Sequence, residues 1–119
     1  MPKLKEKESV IFDLLDNSDI IASAAFEKLY ERFYDDDAMG GTAKSVLLKA
    51  IYINRYDDSA LWKLAVKANI SDRTLYRYRH MYILWFYYYY TKFFQLDIQR
   101  KPAVQGILLF QQIFHHTNM

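Results

Sequence analysis

The sequence is 119 residues long, with 52% hydrophobic residues, 18% aromatics and a formal net charge of +2. That length fits one domain with a core of its own, and the apolar share excludes a disordered chain. With no cysteine, three glycines and two prolines, disulfide scaffolds, cysteine zinc sites, cysteine nucleophiles and turn-rich β-sandwiches are excluded as well.

Met1 to Glu8 is charged and no long apolar run follows it, so no signal peptide is expected. The lack of cysteine suits a reducing, cytoplasmic location. Ser9 to about Asp16 reads as a short helix with Val10, Ile11, Leu14 and Leu15 on one side. Asn17 or Ser18 can cap the next helix, with Asp19 in its first turn. Ile21, Ala25, Leu29 and Phe33 then recur every fourth residue, while Glu27, Lys28, Glu31 and Arg32 lie outside that stripe. Asp35, Asp36 and Asp37 sit badly at the end of this helix, because acids oppose the negative C-terminal dipole. A calcium loop starting at Asp35 needs a glutamate at its twelfth position, where the chain has Val46. The pattern predicts an acidic inter-helix loop around Gly40 and Gly41.

Thr42 can cap a third helix, Ala43 to about Tyr56, with Val46, Leu47, Ala50, Ile51 and Asn54 on one side. Asp57, Asp58 and Ser59 break it and offer caps for a fourth, Ala60 to about Lys67. Asn69 tolerates the left-handed backbone of a tight turn. Ser71 caps a fifth helix, Asp72 to about Gln95, a span of roughly 36 Å. A final helix is expected from Pro102, with Val104, Ile107, Leu108 and Gln111 on one face and Phe110 and Phe114 beside it; His115 to Met119 reads as a frayed tail. No stretch shows sustained polar–apolar alternation bounded by turns, so the fold class is all-α: a small helical domain with a helix-turn-helix and a long, aromatic-rich second helix. It is read as a single domain over 1–119, with N-terminal helices at 9–42, the helix-turn-helix core at 43–95 and a C-terminal helix at 99–116. Met81 to Tyr90 is too short for a membrane span, and Lys92 interrupts it.

Charge is unevenly spread. Residues 9–62 hold ten acids against five bases, and residues 63–101 hold eight bases against two acids. Such asymmetry fits a half that faces a polyanion, or a solvated face on which bases cluster by chance. Within the basic half, Leu64 to Ile83 has helix-turn-helix spacing. Ala65 is the small residue at the helix crossing, Asn69 the turn, Ile70 the apolar plug, Ser71 the cap, and Leu75 and Tyr78 the anchors, with Leu61 and Leu64 facing inward.

The stretch Leu64-Ala65-Val66-Lys67-Ala68-Asn69-Ile70-Ser71-Asp72-Arg73-Thr74-Leu75 resembles the C-terminal helix-turn-helix of bacterial sigma factors. It is still more similar to the ArpU- and RinA-type transcriptional regulators of phages and prophages. In those families a small residue, three positions, a turn residue, an apolar residue, Ser, two positions, Thr and an apolar residue lead into a basic helix. The resemblance covers roughly residues 43–90 and implies transcription regulation through duplex DNA. Asn69 stands where glycine is commoner. The continuation Trp85 to Tyr90 is more aromatic than the pattern, which points to an added packing or dimer role.

Helical geometry places Leu75, Tyr78, Tyr82 and Trp85 on one face of the fifth helix and Arg73, Tyr76, Arg77 and His80 on another. The first turns of a recognition helix enter the major groove, where arginine reads guanine with two hydrogen bonds. Arg73 and Arg77 are therefore the base-reading candidates, with Asp72, Tyr76 and His80 beside them. Ser71, Lys63, Lys67, Arg79 and Lys92 are placed for phosphates, which position the complex without reading sequence. The plain alternative is a solvated helix surface.

Trp85, Tyr87, Tyr88, Tyr89, Tyr90, Phe93 and Phe94 cannot all face one core. They read as packing against the first and last helices, as a homodimer interface formed with the C-terminal helix from about Pro102 to Phe114, or as a stacking surface for single strands. His115 and His116 are adjacent and have no third ligand in view, so no metal site and no cofactor is expected. No catalytic spacing of Ser, His and Asp stands out, and no enzyme is expected. Two functions follow: a sequence-specific regulator of duplex DNA, or an interaction protein that uses the helix-turn-helix as scaffold and its aromatics to bind a protein such as RNA polymerase, a sigma factor or a defence component.

Overall fold

The computed structural model describes residues 3–98. Among them the chain is all-α, with five helices and no strand: α1 (Leu4–Asp16), α2 (Ile20–Gly40), α3 (Lys44–Tyr52), α4 (Asp58–Lys67) and α5 (Asp72–Ile98). The helix expected from Pro102 and the tail from His115 lie outside the described residues. Two compact units are formed. One takes α1, α2 up to Glu27 and α5 from Ile83; the other runs from Lys28 to Tyr82.

In the first unit, α1 starts five residues earlier than its apolar pattern predicts. The Lys3 amide donates to the Glu6 carboxylate at 3.3 Å, which satisfies a helix-start donor in the manner of a capping box. At the other end, Asp19 N–H bonds Leu14 O and Ser18 N–H bonds Leu15 O, both at 3.1 Å, with Ser18 left-handed at φ 56°. That pair of bonds is a Schellman closure. Ser18 therefore ends α1 rather than capping α2. The cap of α2 is Asp19, whose Oδ1 accepts from Ala22 N–H at 2.8 Å. Ile11, Leu14, Ile21, Ala22, Ala25, Ile83, Phe86, Tyr89, Tyr90 and Phe94 are buried here. Aromatic pairs run along α5, Phe86 on Tyr90 at 5.8 Å and Tyr89 on Phe93 at 6.2 Å.

In the second unit, Leu29 and Phe33 of α2 are buried as the four-residue stripe requires, as are Ile21 and Ala25 of that stripe in the first unit. Tyr82 is the hub. Its ring meets Phe33 edge-on at 5.4 Å, Tyr52 at 6.5 Å and Tyr78 at 6.3 Å. Its hydroxyl donates to the Lys44 carbonyl at 2.7 Å, so one side chain links α2, α3 and α5 within this unit. Burial, then the neighbouring Tyr78 and Asp37, raise the Tyr82 pKa far above the ordinary 10.0.

α2 does not stop at its acidic triplet but continues to Gly40, where Gly41 turns left-handed at φ 66° and closes the helix. The acids are tolerated because Asp37 serves the next helix. Its Oδ1 accepts from Lys44 N–H and its Oδ2 from Ser45 N–H, both at 2.8 Å. The hydroxyls of Thr42 and Ser45 donate to the same carboxylate. Thr42 thus donates to the group that caps α3 instead of being the cap, and the negative charge meets the positive end of α3. Burial raises the Asp37 pKa, but the hydrogen bonds from Ser45, Thr42 and the two amides outweigh it and hold the group below the ordinary 3.8.

α3 is shorter than expected. Arg55 takes a left-handed φ of 54° and Tyr56 N–H bonds Ala50 O at 2.9 Å, ending the helix at Tyr52. Its inward side is also wider than one stripe. Leu47, Ala50 and Ile51 are buried as expected, but Leu48 and Tyr52 join them, while Val46 and Asn54 are exposed. Six of its nine residues are buried, so a single stripe does not describe its inward side.

Candidate nucleic-acid interface

The expected helix-turn-helix segment is α4, a four-residue connection and the start of α5. Asp57 caps α4 through Ala60 N–H at 2.7 Å. Leu61 and Ala65 are buried, and α3 packs on α4. At the turn, Asn69 is left-handed at φ 59°, Ile70 N–H bonds Ala65 O at 2.8 Å and Asn69 N–H bonds Val66 O at 3.0 Å. This is a second Schellman closure, and it leaves Ile70 half-buried. An ordinary side chain at a left-handed position costs roughly 1–2 kcal/mol, and asparagine costs less. Asn69→Ala is therefore expected to lower stability by about 1 kcal/mol, while Asn69→Gly stays within about 0.5 kcal/mol of wild type. Urea melts of the two variants check this, and equal melts would remove the strain argument.

Ser71 caps α5. Its Oγ accepts from Thr74 N–H at 3.2 Å and donates to Thr74 Oγ1 at 3.1 Å. Beyond that cap, Asp72, Arg73, Tyr76 and Arg77 are exposed and His80 is half-buried. Tyr76 is 56% exposed, and its ring meets His80 edge-on at 4.5 Å between centroids. One guanidinium nitrogen of Arg77 lies 3.4 Å from Thr74 Oγ1, a long hydrogen bond that orients the side chain without burying it. Lys63 and Lys67 are exposed on α4, and Arg79 is half-buried. From Asp58 to His80 the chain carries five bases against two acids, and all five bases belong to α4 or the first turns of α5.

The same segment carries two apolar residues that the sequence reading did not single out. Trp62 and Val66, one turn apart on α4, are 53% and 54% exposed. They follow Leu61 and Ala65 by one residue each, and a one-residue offset turns a helical position away from the core.

The aromatic set splits by burial. Tyr89, Tyr90 and Phe94 are buried within the chain's own first unit, Trp85, Tyr87 and Phe93 are half-buried, and Tyr88 is 47% exposed. Leu84 and Leu96 are exposed at four-residue multiples from Tyr88. Lys92, on the same stripe, lies over the Tyr88 ring at 5.3 Å and donates to its hydroxyl at 3.1 Å. No group of three or more His, Asp or Glu side chains among the described residues could hold a metal ion. No helix among them is long and apolar enough to cross a membrane.

No protein-family model, no curated protein and no solved structure matches the chain.

Proposed function

We propose that the chain binds duplex DNA in a sequence-specific way through the start of α5, as a transcription regulator of the phage type. The observation that carries this reading is the run Arg73, Tyr76, Arg77 and His80. These residues share one face immediately beyond a capped helix start, and that helix follows a turn with helix-turn-helix spacing. Arginines in the first turns of such a helix have the length and the paired donors to reach guanine edges in the major groove. Lys63 and Lys67 on α4 supply phosphate contacts in the same reading. The resemblance of residues 64–75 to the ArpU and RinA pattern agrees with it.

Arg77→Ala is expected to leave stability within about 0.5 kcal/mol of wild type, because the side chain is exposed. Its affinity for a selected site should fall by about 1–3 kcal/mol, with relaxed preference at one base pair. The wild type should also bind random duplex at low salt and lose affinity linearly on a log–log plot against salt. Absence of duplex binding in low salt overturns the proposal.

A second reading, a protein-binding module, is favoured by the exposed stripe of Leu84, Tyr88 and Leu96 on α5. Exposed aromatic and aliphatic side chains in series are the usual core of a protein interface. A second copy of the chain or a subunit of the transcription machinery would both fit such a stripe, and sedimentation of the isolated protein separates the two.

A further inference from the structure

We infer that Tyr76 reads the 5-methyl group of a thymine within the duplex site, an inference that rests on the duplex-DNA reading above. Tyr76 is 56% exposed although its ring is large and apolar. It stands on the face shared by Arg73 and Arg77, three residues after one and immediately before the other. It is braced: the His80 ring, one turn further along α5, meets it edge-on at 4.5 Å and a 69° interplanar angle. A braced side chain has less rotational freedom to lose on contact, so its apolar surface is pre-positioned. Base-pair edges in the major groove are dominated by hydrogen-bond donors and acceptors, and the thymine methyl is the apolar group that projects furthest from them. An exposed ring held among groove-facing arginines therefore finds its best apolar complement in that methyl. The class of ligand is a duplex in which a thymine lies within the base pairs read by the arginines.

The test begins with a duplex selected from a random library. Each thymine is then replaced in turn by deoxyuridine, which deletes the methyl group and keeps every hydrogen-bonding edge. At one position the wild type should bind about four-fold more weakly, the worth of one methyl group withdrawn from water. Tyr76→Ala should bind thymine and deoxyuridine duplexes equally at that position, and Tyr76→Phe should keep the preference. Circular dichroism of both variants confirms that α5 is intact. If no replacement weakens wild-type binding, or if Tyr76→Ala still distinguishes the two duplexes, the inference is overturned while the duplex reading stands. If the protein binds no duplex at all, both fall together.

Discussion

Phe33→Ala is expected to cost about 3–5 kcal/mol, the usual range for emptying a buried phenylalanine site. Phe33 is 1% exposed, edge-on to Tyr82, with the Lys44 ammonium 5.9 Å from its ring centre. Tyr82 also holds Tyr52, Tyr78 and the Lys44 carbonyl, so the cavity would open beside a side chain that links three helices of the second unit. Total stability of a domain of this size is about 5–15 kcal/mol. The variant would therefore lose a large share of it and would be partly unfolded at 37 °C if the wild type lies near the lower end. Phe33→Leu keeps most of the volume and should lose less than half as much. Chemical denaturation of the three proteins decides the matter, and a loss under about 1 kcal/mol for the alanine variant would show that the hub relaxes to fill the space.

Asp37→Ala is expected to cost about 2–3 kcal/mol, at or above the upper end for a helix cap. The carboxylate accepts from two backbone amides and two hydroxyls at the head of α3. Ser45, one of those donors, is 4% exposed and would be left without water as a substitute. The sign of the pH effect follows from the depressed pKa. A carboxyl whose folded-state pKa lies below its unfolded value stabilises the fold fully above the unfolded value, and that contribution disappears as pH falls through the folded one. Asp37 lies below 3.8 in the folded chain. Wild-type stability should thus hold down to the ordinary aspartate range and drop below it. Asp37→Asn cannot titrate, so its curve should be flatter in that acidic window. Parallel curves for wild type and Asp37→Asn below pH 4 would assign the acid limb to other carboxylates.

The helical class and the segment from α4 into α5 were legible because their signals are local. Asn69 turns its own backbone left-handed and Ser71 accepts from an amide three residues on, and the stripe from Ile21 to Phe33 repeats within one helix. Asp37 was illegible as a cap because its partners are seven and eight residues away, across a loop whose path a linear pattern does not contain. Tyr82 is an extreme case of the same limit: its hydroxyl bonds a carbonyl 38 residues away. In sequence it is one tyrosine among eleven. The aromatic run on α5 is visibly too rich for one face in the sequence. Which members turn inward, Tyr89 and Tyr90 but not Tyr88, depends on the phase of the helix against its neighbours, and a run of identical residues carries no phase.

The chain holds two tryptophans, and the division into units places one in each: Trp62 in the second, 53% exposed, and Trp85 in the first, half-buried beside Tyr88 and Tyr89. Their emission therefore gives each unit its own optical reporter. With Trp62→Phe, the remaining signal follows the first unit; with Trp85→Phe, it follows the second.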